Sequence, residues 1–256
     1  MANRVVIDPG HGGFDSGAIY GDRIEKNDNL KLALAVGQIL TNHGVEVLYT
    51  RREDVYSTPL RRAHMANAEN ADLFISLHRN SSPLPNMYSG VQTLIYDEKG
   101  IKPVAAEIIN GELEKVGFNN LGIDIRKDLP VLSRTNMPAL AVYVGFINTD
   151  ADNALFDNQF DAIANGIANG ILEVLAKIDE TANQTHTYRV QVGLFKMLTN
   201  AVNMQNELSL FGYEPLIVPQ GDLYAVQIGE LSSLDEAVIL EQELKRLGYS
   251  TLLVEL

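Results

Sequence analysis

Val5, Val6 and Ile7 form a short apolar run that breaks at Asp8-Pro9-Gly10-His11-Gly12-Gly13. The run is β-branched and uncharged, which suits a strand buried on both faces of a sheet. Pro9 and the glycines end it, and the glycines let the backbone pass close to a ligand or to another segment. A strand covered on both faces belongs to an α/β sheet, where ligands collect at the carboxyl ends of the strands. His11 stands at such an end.

The residues that follow alternate between strand and helix patterns. Asn27 or Asp28 is placed to cap a helix reaching about residue 41, with Leu30, Leu32, Ala33, Leu34, Val36, Ile39 and Leu40 as a broad apolar face. A strand over 45–50, a helix opened by Thr58-Pro59, and a strand over 72–77 come next. This alternation predicts parallel strands joined by crossover helices. Segment 79–89, rich in Pro, Ser and Asn, reads as a loop on the rim of the site. Further on, the pattern gives a strand over 90–96, a helix over 101–116, an irregular stretch over 119–133, an apolar strand over 138–147 and a helix over 153–178. The expected fold class for residues 1–178 is α/β, a mostly parallel twisted sheet with helices on both faces.

Residues 179–186 lack apolar periodicity and read as a linker. Residues 187–256 contain a repeat: Tyr188-Arg189-Val190-Gln191-Val192-Gly193 is echoed by Tyr224-Ala225-Val226-Gln227-Ile228-Gly229, and Gly212-Tyr213 by Gly248-Tyr249. Each copy reads strand, helix, strand. One copy cannot bury its own sheet face, but two together form a small α+β, ferredoxin-like sheet backed by two helices. Alternation puts Val190 and Val192 on one face and Arg189 and Gln191 on the other, facing away from the helices or toward a ligand.

Two further stretches bear on chemistry. Asp72-Leu73-Phe74-Ile75-Ser76-Leu77-His78 is a second apolar run ending in histidine, and Glu25 precedes a helix. His11, Glu25 and His78 fit a zinc site with an open fourth position. The plainer alternative is two core histidines and a first-turn glutamate favoured by a helix dipole. The chain has no cysteine, so disulfides, thiolate metal sites and cysteine nucleophiles are excluded. A formal charge of -13 argues against nucleic acid and against adhesion to anionic membranes. No apolar run is long enough to insert into a membrane. Met1-Ala2-Asn3-Arg4 shows no signal-peptide pattern. Synthesis in the cytoplasm is therefore expected, unless a leader has been removed.

Several separated motifs resemble the zinc-dependent N-acetylmuramoyl-L-alanine amidases, which hydrolyse peptidoglycan. They are Ile7-Asp8-Pro9-Gly10-His11-Gly12-Gly13, Glu25-Lys26, Leu60-Arg61-Arg62 with Ala66-Asn67, the run ending at His78, and Asn136-Met137-Pro138-Ala139 with Gly145-Phe146-Ile147-Asn148. The resemblance implies that His11, Glu25 and His78 bind Zn²⁺. It also implies hydrolysis of the amide between N-acetylmuramic acid and the L-alanine of the stem peptide. The repeat resembles a SPOR domain, a module associated with glycan strands stripped of their peptides. Together they are similar to mother-cell-lysis amidases and to phage endolysins, so action on the cell wall after release or lysis is expected, with the stem peptide and glycan strand of peptidoglycan as partners. The sequence departs from the family at one place. The family carries a general-base glutamate two residues ahead of the glycine of Gly145-Phe146, where this chain has Tyr143, and no Asp or Glu lies between Asp128 and Asp150. A tyrosine, with an ordinary pKa of about 10, is a poor base at neutral pH but can donate a hydrogen bond or a proton. Tyr143 is thus the candidate catalytic residue. Three readings are open: an enzyme working without the glutamate, one using a loop carboxylate, or a wall-binding pseudoamidase that does not cut. Arg126, Arg134 and Asn80 are candidates to line the cleft, whereas His43, His64 and His186 read as surface or structural.

Overall fold

The computed structural model describes residues 3–183 and 187–256. The chain divides into two compact units, Met1–Glu180 and Thr181–Leu256.

In the first unit, β1 (Arg4–Pro9) is the buried strand. Val5 and Ile7 pack into one apolar cluster and Val6 into another on the opposite face, which is why the run is apolar without interruption. A short ribbon of β2 (Ile19–Tyr20) and β3 (Arg23–Ile24) leads into α1 (Glu25–Asn42). Next come β4 (Glu46–Tyr49), α2 (Pro59–Ala68) and β5 (Leu73–Asn80). Thr58 caps α2 through the Arg61 amide, and Pro59 sits in its first turn. The unit is completed by β6 (Val91–Ile95), α3 (Lys102–Val116), β7 (Asn120–Ile125), α4 (Pro130–Ser133), β8 (Ala139–Phe146), α5 (Asp150–Asn158) and α6 (Phe160–Asn183). The sheet order is β4-β1-β5-β8-β6-β7, with every pair parallel except β6 against β8. Residues of α1, α3 and α6 pack on one face, and residues of α2 and α4 on the other.

Several boundaries differ from the sequence expectations. Helix α1 begins at Glu25 rather than after a cap at Asn27 or Asp28. The Asp28 carboxylate is instead engaged by Arg23 and Arg79, each at 2.6 Å. β5 runs through Arg79 and Asn80, because Arg79 turns its side chain into the interior instead of out to solvent. The stretch 119–133 holds the edge strand β7 and the single turn α4. The helix expected over 153–178 is two helices, broken at Gln159. α6 continues to Asn183, so residues 179–183 of the expected linker are helical, and Asn3 holds the Asp179 carboxylate at 2.9 Å. Polar residues do not oppose a helix that is already nucleated. Residues 184–186 of that linker, with His186, lie outside the described residues.

The second unit contains β9 (Tyr188–Phe195), α7 (Leu198–Leu210), β10 (Pro215–Gln220), β11 (Leu223–Leu231), α8 (Leu234–Arg246) and β12 (Leu252–Glu255). Its antiparallel order, β10-β11-β9-β12, is ferredoxin-like. Each repeat's second strand pairs with the first strand of the other repeat. The same exchange appears in side chains at equivalent positions. The Tyr213 hydroxyl donates to Glu243 (2.8 Å) and the Tyr249 hydroxyl to Glu207 (2.6 Å).

Candidate metal centre

The site lies where the strand order reverses. From β1 the chain goes first to β4 on one side and then to β5 on the other, which opens a crevice at the carboxyl ends of β1 and β5. His11 follows β1, and His78 lies within β5. Glu25 is the first residue of α1, where a carboxylate also gains from the helix dipole.

Buried charges hold the loop that carries His11. Arg51 donates to the Pro9 carbonyl (2.9 Å) and the Gly10 carbonyl (2.9 Å); Arg62 donates to the carbonyls of Pro9 (2.7 Å) and His11 (2.7 Å). Arg62 also pairs with Asp8 at 2.8 Å. Asp8 and Ser76 are register partners on adjacent strands, and the Ser76 hydroxyl donates to Asp8 at 2.6 Å, with Thr50 as a further donor. Burial opposes the charge on Asp8, but the Arg62 guanidinium and the two hydroxyls outweigh it and hold the carboxyl below its usual range. This clamp keeps His11 at φ 62, a conformation rare outside glycine. Gly10 packs so close to the His78 ring that a Cβ there would overlap it.

The Glu25 carboxylate lies between the two imidazoles. One oxygen is 3.2 Å from His11 Nε2 and the other 2.9 Å from His78 Nδ1, and the three ligand atoms lie within 4.8 Å of one another. Asp15 accepts from His11 Nδ1 at 2.9 Å, which orients the ring so that Nε2 is the nitrogen turned toward Glu25. The Ala18 amide (2.9 Å) and the Arg79 amide (3.2 Å) donate to the Glu25 oxygens. Burial works against the charge on Glu25, yet the hydrogen bonds and charges of His11 and His78 hold its carboxyl far below the ordinary carboxylate range. Arg79 anchors the start of α1 from the strand side. Its guanidinium reaches Asp28 at 2.6 Å and Asn153 at 2.8 Å, and lies 4.3 Å from the Phe156 ring centre.

A cavity of about 230 Å³ opens beside these groups, lined by His11, His78, Ser57, Leu129, Val131 and Tyr143. His78 and Tyr143 are register partners on β5 and β8, so their side chains rise on the same face one strand spacing apart. Their rings stack at 5.1 Å with 16° between planes. Burial, and then the Glu25 charge, pushes the Tyr143 phenol up, so it is a donor at neutral pH. Beyond Tyr143 a smaller cavity is lined by Asn80 and Arg126; Arg134 lines neither cavity. His43 bonds the Ile39 carbonyl at 2.8 Å, and His64 is exposed. Asp15, Arg51 and Arg79 carried no role in the sequence analysis. Asp15 has a recoverable signal, a carboxylate four residues past a ligand-type histidine, whereas nothing in spacing marks the arginines. Two nitrogens and one carboxylate, with their open side on a cavity, form a donor set suited to a divalent metal ion.

Residues 5–173 match the N-acetylmuramoyl-L-alanine amidase family, and residues 184–255 match the SPOR domain. The chain belongs to the N-acetylmuramoyl-L-alanine amidase family. The chain is similar to a sporulation-specific N-acetylmuramoyl-L-alanine amidase of Bacillus subtilis (strain 168), with 35% identity over 221 residues, covering 84% of each protein. It is also similar to an endolysin of Bacillus phage SPP1, with 37% identity over 182 residues, covering 68% of this chain and 67% of that one. Among solved structures, an N-acetylmuramoyl-L-alanine amidase from Clostridium difficile 630 aligns with a TM-score of 0.65 and 30% identity, over 68% of this chain and 97% of its own. The catalytic domain of an amidase from Bacillus (Paenibacillus) polymyxa gives 0.63 and 33%, over 68% and 98%. These likenesses bear out the α/β fold and the SPOR-like tail expected from the sequence. Among the described residues of this amidase, no helix is long and apolar enough to cross a membrane.

Proposed function

We propose that the amidase domain hydrolyses the amide bond between N-acetylmuramic acid and the L-alanine of the stem peptide in peptidoglycan, with zinc held by His11, Glu25 and His78. The observation that carries this reading is the meeting of these three donors within 4.8 Å at the crevice of the sheet. When bound there, zinc would polarise the carbonyl and bring a water molecule into the reactive range near neutral pH. The protein's own groups do the rest. Asp15 orients the His11 ring through Nδ1. The Ala18 and Arg79 amides hold both Glu25 oxygens in place. Tyr143 lines the cavity and bears its proton at neutral pH, so its hydroxyl is suited to stabilising charge that develops on the carbonyl oxygen and to giving a proton to the departing nitrogen. A positioned carboxylate base contributes about 10²–10⁴ in rate, so this site works below the rate of one that has it. Binding to the wall without cutting is the less favoured reading, because the zinc-type donor set is complete.

The second unit would hold the glycan. On the sheet face opposite its helices, Gln227 is buried within 3.4 Å of Gln191, and its Oε1 has no partner among the described residues. Synthesis in the cytoplasm and action on the wall after release or lysis complete the proposal. The test is release of free L-alanine amino termini from purified peptidoglycan by the full chain. Release should disappear with a chelator, return with zinc and be absent in His78→Ala. No release at high enzyme concentration, alongside an active Tyr143→Glu variant, would overturn the proposal.

A further inference from the structure

Phe14, three residues past His11, is 83% exposed, yet its place is fixed. Its ring packs against Tyr56 at 4.1 Å between centres, tilted by 35°. The two loops that carry these rings are bolted together. The Gly13 amide donates to Asp54 at 2.8 Å, and Lys26 bridges the Gly13 carbonyl (2.9 Å) and Asp54 (2.6 Å). Gly13 has φ 60 and lies so close to Tyr56 that a Cβ would meet its backbone nitrogen at 2.8 Å. Val55, 49% exposed, lines a cavity together with Tyr56. A single exposed apolar side chain is ordinary, but a stacked aromatic pair on two loops clamped together beside the crevice is not.

From Tyr56 the surface leads toward the metal site. Ser57 lines both the cavity at His11 and His78 and a second cavity formed by Tyr56, Val55, Thr50, Arg61 and Met65. A ligand seated at the metal donors and extending toward Tyr56 therefore stays on one continuous surface. Its features are aromatic faces with hydroxyl and guanidinium groups at the rim. An aromatic face is electron-rich and attracts the weakly positive C–H bonds on the flat side of a pyranose, while the rim groups suit its hydroxyl and acetamido substituents. A stem peptide offers no such flat face.

We infer that the Phe14–Tyr56 ledge is a sugar subsite that takes an N-acetylated hexose ring of the glycan strand and so fixes on which side of the metal donors the glycan lies. The inference rests on the amidase reading for its substrate, and its test is separable from that reading. The chain has no tryptophan, so Phe14→Trp in the full-length protein installs a single emitter at the ledge. Peptide-free glycan oligosaccharide should quench or blue-shift its emission, and free stem peptide should not. In steady-state kinetics on peptide-bearing glycan, Phe14→Ala should raise KM about five- to tenfold with kcat unchanged, and Phe14→Trp should restore KM. An emission change with stem peptide alone, or none with glycan while wild-type protein still releases stem peptide, overturns the sugar subsite. Failure of the wild-type protein to release stem peptide overturns the amidase reading instead, and the emission experiment still decides whether sugar sits on the ledge.

Discussion

The two units of this chain use polar residues in opposite ways. In the amidase unit they are singular and buried. Asp8, Arg51, Arg62, Arg79 and Glu25 are each nearly sealed from solvent, and each has a distinct task. In the SPOR unit the polar contacts repeat, with Tyr213–Glu243 matched by Tyr249–Glu207. A site that performs chemistry needs different groups at different distances from one point, which repetition cannot supply. A sheet that only presents a face can be built by repetition.

This contrast can be tested by single substitutions. The largest effect is expected at the metal donors. Glu25→Gln should lose bound metal beyond the ~10–100-fold that loss of a supporting residue costs, and release of stem peptide should fall to background. Arg62→Ala strands the buried Asp8 carboxylate and should destabilise the amidase unit by about 3–5 kcal/mol in urea unfolding, leaving the SPOR transition in place. A change smaller than about 1 kcal/mol would mean that the clamp on the His11 loop is not held by this pair. Asp15→Asn should keep the fold and weaken metal binding by ~10–100-fold, read by competition with a chelating dye. In the SPOR unit, Tyr213→Phe and Tyr249→Phe should each cost only about 0.5–1 kcal/mol, alike and additive, because two solvent-accessible bonds share the load. Unequal losses would break the symmetry argument.

Two groups, one in each unit, respond to opposite ends of the pH scale. The Asp8 carboxyl lies below its usual range in the fold, so its contribution is complete above about pH 4 and fades as acid protonates it. The Tyr249 phenol, bonded to Glu207, is pushed up to about 12, so its smaller contribution is intact below about pH 10 and is lost as pH rises through 12. Comparing each unit's unfolding in wild type with that of Asp8→Asn and of Tyr249→Phe would show the Asp8 contribution vanishing in acid and the Tyr249 contribution in alkali.

Much of this was legible in the sequence. His11 and His78 each close an apolar run and Glu25 opens a helix, so their convergence follows from where strands end. The repeat announced strand–helix–strand twice. Other features left no local mark. β7 was hidden because Asn120-Leu121-Gly122-Ile123-Asp124-Ile125 is an edge strand with a glycine inside it and no fully buried residue. The antiparallel run of β6 against β8 is a matter of chain path, which no residue pattern encodes. The role of Arg79 was concealed by its charge. An arginine after His78 reads as loop, yet it is 2% exposed because Asp28, Asn153 and two carbonyls receive it.

The crossed strands of the SPOR unit make its two halves depend on each other. Since β10 lies on β11 and β12 on β9, neither half closes a sheet from its own residues. A single protease nick at the Gly221 turn would leave two interlocked fragments rather than two free ones. One copy alone would have to find its missing strand in a second molecule, so carrying both copies on one chain makes an intermolecular embrace an intramolecular one.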